Sequence, residues 1–233
     1  MDLKKLFNEN KPSESRLLAS ALTFSGGFVD AYTYIQRGHT LSAGQTGNVI
    51  FFANSLAQGN VRGMLTRGTT FLAFSIGLLV VGLFHKYVKN NFWRVFCLFP
   101  ILIICAIVGF LPKEFPNYYI VPAIAFCMAI QNASFSKIEG LGYNNVFTTG
   151  NLKKSMVAWS AYFFGEDKTK YNAAVNYMWL VIAFAVGAIV SALLQNYFYL
   201  RTIWFGVVIL GIINIVYISL LMKRRKFNLN NKE

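Results

Sequence analysis

The sequence predicts an all-α integral membrane protein. It reads as six transmembrane helices forming two inverted three-helix repeats, each repeat with a short re-entrant half-helix. Three observations lead there. Apolar residues come in long blocks that charges interrupt only at the edges. Lys and Arg gather on alternate connections between those blocks. One pattern of small polar residues occurs twice, with comparable spacing to a preceding apolar block.

Composition sets the class. Hydrophobic residues make up 55% of the 233 and charged residues 13%, where a soluble domain carries roughly 25% charged. A chain this short of charge cannot cover a water-facing surface, so much of its exterior is expected to face lipid.

Residues 1–16 are charged and of mixed sign, and read as a cytoplasmic N-terminal segment. The first span is "LLASALTFSGGFVDAYTYIQ", 17–36. No cleavage site follows it, so it is expected to be retained and not removed as a signal peptide. The next spans are about 67–84, 95–111, 120–137, 175–195 and 202–222. Each is near the roughly 17–25 residues that cross hydrocarbon as a helix. The first membrane repeat covers 17–111 and the second 112–222, and 223–233 is a basic cytoplasmic tail. Trp93, Tyr118, Tyr119, Tyr197, Tyr199 and Trp204 flank spans, as aromatic belts do.

Charge gives the orientation. The net charge is +13, with 22 Lys and Arg. With the N-terminus inside, only Arg37, Arg62, Arg67, Lys113 and Arg201 fall outside, which is the bias expected of cytoplasmic loops. Both termini are therefore expected in the cytoplasm of a multi-pass plasma-membrane protein. The same bias accounts for the basic charge without nucleic acid as a partner. An eight-span alternative would let 44–58 and 148–164 cross completely. It places Lys153 and Lys154 within a span, where a charge costs roughly 2.5–3.5 kcal/mol, so six spans are preferred.

The repeat comes from aligning "ALTFSGGFVDAYTY" (21–34) with "AIAFCMAIQNASFS" (123–136). Asp30-Ala31 falls on Asn132-Ala133 and Gly38 on Gly140. After one extra residue, Thr46-Gly47-Asn48 falls on Thr149-Gly150-Asn151. Three spans per unit make the second unit enter from the opposite side, the inverted plan of many secondary transporters. Each Thr-Gly-Asn is read as the start of a half-helix, with Asn or Thr oxygens taking the first free N–H groups. Irregular backbone at membrane depth is tolerated where it is buried or lines a cavity. Two such breaks would bring their positive ends together near the middle. The other reading of both segments is an amphipathic helix lying at the interface.

The candidate solute-binding set is Asp30, Gln45, Thr46, Gly47, Asn48, Gln131, Asn132, Thr148, Thr149, Gly150, Asn151 and Lys153. Asp30 sits inside a span, where ionisable groups are costly and face a cavity or a partner. A carboxyl there can take up and release a proton, and Asp30 is the expected proton-coupling residue. A structural Asp tying spans together is the alternative. Lys153 and Lys154 oppose the dipole of the helix they begin. Their presence points either to an anionic solute or to phospholipid head groups.

Cys97, Cys105 and Cys127 lie in apolar blocks without metal spacing and read as packing residues. The sequence has no nucleophile elbow, phosphate loop, zinc-binding helix or dinucleotide fingerprint. No enzyme, cofactor or metal site is expected.

Gly27-Phe28-Val29-Asp30-Ala31, followed by the two Thr-Gly-Asn motifs, resembles the YoaK-like family of small bacterial membrane proteins, a domain of unknown function. The resemblance covers residues 17–222. It implies a multi-pass plasma-membrane protein and no particular substrate. Gln45 stands where many relatives are expected to have Met.

The expected function is a small secondary transporter, proton-coupled, for a small polar or anionic solute bound at the midplane between the two half-helix starts. Its partners are the lipid bilayer and the solute, and six spans leave room for a homodimer. A passive channel with the same re-entrant ends, and a non-transporting membrane partner or assembly protein, are the other classes.

Overall fold

The computed structural model describes residues 11–87, 92–165 and 167–230. Residues 1–10, 88–91, 166 and 231–233, which include most of the expected N-terminal segment and the end of the expected tail, lie outside the described residues. Among the described residues eight α-helices carry the chain. They are α1 Arg16–Gln36, α2 Gln45–Ala57, α3 Val61–Tyr87, α4 Trp93–Val108, α5 Asn117–Ser134, α6 Thr149–Phe163, α7 Tyr171–Phe198 and α8 Ile203–Asn230. Each expected span matches one long helix. The two short polar-headed segments match α2 and α6.

Length and apolar composition suit Val61–Tyr87 and the helical stretch Lys168–Arg224 to crossing a membrane, and Trp93–Val108 is a shorter apolar helix. The second stretch is broken by a 3-10 turn at Tyr199–Thr202, between α7 and α8. Outward-facing positions carry large apolar side chains: Ile76 is 53% exposed and Leu79 72% on α3, Ile103 55% on α4, Ile189 57% on α7 and Ile215 66% on α8. Water makes such a surface unfavourable at roughly 25 cal/mol per Å². A hydrocarbon surround removes that cost.

Local signals set the ends. The Ser15 side chain caps α1, accepting from the Leu18 N–H at 3.4 Å. Pro12 opens the short 3-10 turn before it, where proline's fixed φ suits a helix start. Gly38 and Gly140 follow the first helix of each half, with φ of +79° and +81°, a region open to glycine without strain. A small hairpin not expected from the sequence follows α5, in which Lys137–Ile138 pairs with Leu141–Gly142.

The packing has a regular order. The most extensive helix pairs are α1 with α7 and α3 with α5. α2 lies on α3 and α6 on α7, α4 packs on α5, α1 on α8, and α4 meets α8. The α1–α7 crossing is close because Gly27 and Gly187 face each other's helix. A Cβ on Gly187 would come within 2.1 Å of the Phe24 carbonyl, and one on Gly27 within 2.1 Å of Phe184 O. At α3–α5, a Cβ on Gly77 would come within 2.5 Å of Phe126 O. Small residues at such crossings let backbones approach where lipid offers no hydrophobic drive.

Two aromatics expected at the interface turn inward instead. Trp93 is buried, and Trp204 donates to Ala106 O at 3.3 Å, packed over Gly109. All three cysteines are buried and free.

Candidate functional site

The chain breaks helical structure twice between long helices, and each break is held by the same two devices. In the first, Asp30 on α1 reaches across to residues 42–43. Its Oδ1 accepts from the Ser42 hydroxyl at 3.0 Å and from the Ala43 N–H at 2.8 Å. Asn48, in the first turn of α2, turns back on the entering chain. Its Oδ1 accepts from the Leu41 N–H at 2.9 Å and its Nδ2 donates to Leu41 O at 2.6 Å. Thr33 completes the arrangement, accepting from the Ser42 N–H at 3.2 Å.

The second break repeats both devices. Asn132 on α5 accepts from the Asn145 N–H at 3.1 Å. That donor lies 13 residues on, as Ala43 lies 13 residues after Asp30. Asn151 accepts from the Asn144 N–H at 3.1 Å and donates to Asn144 O at 2.6 Å. Buried backbone N–H and C=O groups need partners, and here one side-chain amide supplies both for a residue seven positions back.

This revises one expectation. Asn48 and Asn151 do not cap the first N–H groups of α2 and α6. Gly44 and Thr148 stand at those N-caps, without side-chain capping bonds. The asparagines are spent on clamping the irregular strand that leads in.

The two breaks lie close together against α1. The Asn145 carbonyl sits against Gly26, where a Cβ would be 2.2 Å from it, while Asp30 holds the other break. Positions 26 and 30 are about 6 Å apart along a helix axis. Ala43 from the first break and Val146 from the second enter one buried apolar cluster with Phe28, Val29, Met128 and Ala129.

The expected site residues sort by burial. Asp30, Asn48, Gln131, Asn132 and Asn151 are buried. Gln45 is half-buried and joins the first break, donating to Ser42 O at 3.2 Å and accepting from Asn48 at 3.2 Å. Gly47, Thr148 and Gly150 are half-buried, whereas Thr46, Thr149 and Lys153 are exposed. Lys154 donates to Gly142 O at 2.6 Å and covers the Tyr177 ring, so it braces the hairpin. A groove of about 610 Å³ among α3, α4 and α5, lined by residues such as Ile76, Pro100 and Phe126, includes none of these residues.

Four residues went unforeseen at the breaks: Ser25, Thr33, Ser42 and Asn145. Asn145 had a readable signal, since it stands at the same distance from Asn132 as Ala43 does from Asp30. Arg37 was expected in an outer loop and is fully buried. Its guanidinium donates to Val108 O at 3.1 Å, Leu111 O at 3.0 Å and Pro112 O at 2.9 Å, just beyond α4. The negative end of a helix attracts a cation, and three carbonyls suit its fork of donors.

A family model described as "Protein of unknown function (DUF1275)" matches residues 18–216. The chain belongs to the DUF1275 family. Its match runs from the start of α1 into α8, so both breaks fall within it. This DUF1275 chain is also 24% identical over 201 residues to "UPF0700 transmembrane protein YoaK" of Bacillus subtilis (strain 168), which covers 83% of this chain and 89% of that protein. No solved structure matches. The transmembrane relative and the exposed apolar helices make this DUF1275 chain a membrane protein.

Proposed function

We propose that this protein is a proton-coupled secondary transporter of the plasma membrane, moving a small polar or anionic solute held between the two breaks. It crosses six times, with both termini in the cytoplasm, and α2 and α6 are re-entrant half-helices. Exchanging α1–α4 for α5–α8 turns each of the helix pairs described above into another of them, and α4 with α8 into itself. That supports an internal twofold. Three long helices per half make the two halves antiparallel across the membrane, the plan on which alternating access is built.

One observation supports proton coupling above all. Asp30 and Asn132 share one structural task at related positions, each accepting the N–H 13 residues on. Asp30 also accepts from the Ser42 hydroxyl, and it is the one ionisable residue among the buried members of the expected set. An ionisable group in a membrane interior is costly, and a proton that comes and goes during transport gives it a use. The buried apolar cluster into which both breaks enter favours a transporter over an open channel.

The test is uptake into proteoliposomes under an imposed pH gradient, with the solute first sought by thermal-shift screening. Uphill accumulation is expected from the native protein. Asp30→Asn, copying Asn132, is expected to fold and insert normally and to lose pH-driven accumulation by tenfold or more while keeping solute binding. Accumulation at the native level by that variant refutes the role.

A further inference from the structure

We infer that the hairpin 137–142 is a latch that closes the second break on the cytoplasmic side, fastened through Glu139 to α1 and α7. The inference rests on the transporter reading, in which each break opens to its own face in turn. Glu139 stands at the hairpin tip, and four bonds leave that tip for other elements. Its Oε2 accepts from Asn176 Nδ2 on α7 at 2.7 Å and from the Arg16 guanidinium on α1 at 3.4 Å. Its N–H donates to Glu14 O at 2.8 Å, and the Gly140 N–H donates to Glu14 Oε2 at 3.2 Å. Three of the four therefore join the second half to the start of the first.

The hairpin leads straight into the break. Gly142 O accepts from the Tyr177 hydroxyl at 3.0 Å and from Lys154 at 2.6 Å. Two residues on, Asn144 is the residue that Asn151 clamps. A tip that lifts away from α1 therefore pulls on the strand entering α6.

The fastening has the character of a contact that opens. The Arg16 and Glu139 side chains are 40% and 32% exposed, and ion pairs reached by water are weak and screened by salt. Glu139 has a φ of +47°, a strained region for a residue other than glycine, and such residues gather at switches. Among the described residues the ion pairs are Arg16–Glu139 and Lys170–Asp167, and the first joins the two halves. The other end of the molecule is fastened differently. By the alignment that sets Asp30 on Asn132, Arg16 corresponds to Tyr118 and Glu139 to Arg37. Tyr118 lies against Tyr119, and Arg37 is turned onto the carbonyls at the end of α4. There the halves are tied without charge, the Tyr32 hydroxyl donating to Leu200 O at 3.1 Å. An exposed ion pair at one end and a neutral bond at the other let the two ends open under different conditions.

The experiment is cysteine labelling with an impermeant maleimide in a background without native cysteines. Thr148→Cys reports on the second break from inside-out vesicles, and Gln45→Cys on the first from intact cells. The two positions are related by the twofold and both are half-buried. Glu139→Gln is expected to raise the labelling rate at Thr148→Cys by about fivefold and to lower that at Gln45→Cys. The exchange Arg16→Glu with Glu139→Arg rebuilds the pair, and Asn176 Oδ1, now buried without a partner, can accept from the new guanidinium. It is expected to return both rates to the native values. Asp167→Asn, which removes the other ion pair, is expected to change neither. If Glu139→Gln does not purify, Arg16→Gln is expected to shift both rates in the same directions. Unchanged rates overturn the latch. So does a rise at both positions, which marks a loosened fold, or an exchange that fails to restore them. The labelling needs no solute, so a protein that moves nothing is told apart from a hairpin that does not open.

Discussion

Among the described residues Arg37 has no carboxylate partner; its buried guanidinium is stabilised by three carbonyls at and just past the end of α4 and by the Tyr32 hydroxyl at 3.4 Å. Replacing it with Met keeps the volume of the stem, leaves Leu111 O without its partner, and leaves Val108 O and Pro112 O with only the backbone N–H groups of Leu111 and Phe115. An unpaired buried group costs about 1–3 kcal/mol. Arg37→Met is therefore expected to lower the melting temperature by about 5 °C or more, and Arg37→Lys to recover only part of it, because an ammonium lacks the fork. A loss below 2 °C in Arg37→Met would show that the carbonyls find other partners. At the same scale, the acid–amide pair Asp30 and Asn132 separates what a side chain does for the fold from what remains for function. Both accept a backbone N–H across a break, and Asp30, which also accepts from the Ser42 hydroxyl, is the one of the two that can ionise.

At the scale of the element, each of the two short helices is set by its clamp more than by its own sequence. α2 and α6 are only 13 and 15 residues long, near the limit at which helices are marginal without packing. Asn48 and Asn151 fix the strand entering each. Asn48→Ala and Asn151→Ala are expected to destabilise the protein by similar amounts, about 1–3 kcal/mol each, measured by thermal unfolding. A neutral result at either position would mean that its break is held otherwise. The helix crossings give a second comparison. Gly187→Ala would press a methyl into the Phe24 carbonyl, whereas Gly82 on α3 has open space around its missing Cβ. Overpacking costs about 1–3 kcal/mol, so Gly187→Ala is expected to lower the melting temperature. Gly82→Ala is expected to leave it unchanged or raise it, alanine being the better helix former.

For the whole molecule, the proposal depends on α2 and α6 approaching from opposite faces of the membrane. Gln58, at the end of α2, and Ser160, near the end of α6, are both exposed. In a background without native cysteines, Gln58→Cys is expected to react with an impermeant maleimide from outside intact cells, and Ser160→Cys only after permeabilisation. Reaction of both from one face would remove the antiparallel arrangement. Ser55, nearby on α2, is a poorer probe. It is buried and accepts a hydrogen bond from Arg67.

Hydrophobic blocks, loop charges and the doubled Thr-Gly-Asn located each long helix and both short ones, though α3 begins six residues before the expected span and α8 runs eight residues past it. Those are properties of local windows, and local windows are what a linear reading can weigh. The fate of individual polar groups was not readable in the same way. Asn48 and Asn151 looked like caps and are clamps, Arg37 looked like a loop charge and is buried, and Ser25 and Asn145 drew no notice. Each of those roles is a contact across the chain, between 7 residues for Asn48 and Leu41 and 106 for Gln131 and Ser25. Which oxygen meets which nitrogen was decided by the packing of α1 on α7 and α5 on α3, because only that packing brings the two breaks onto neighbouring turns of one helix.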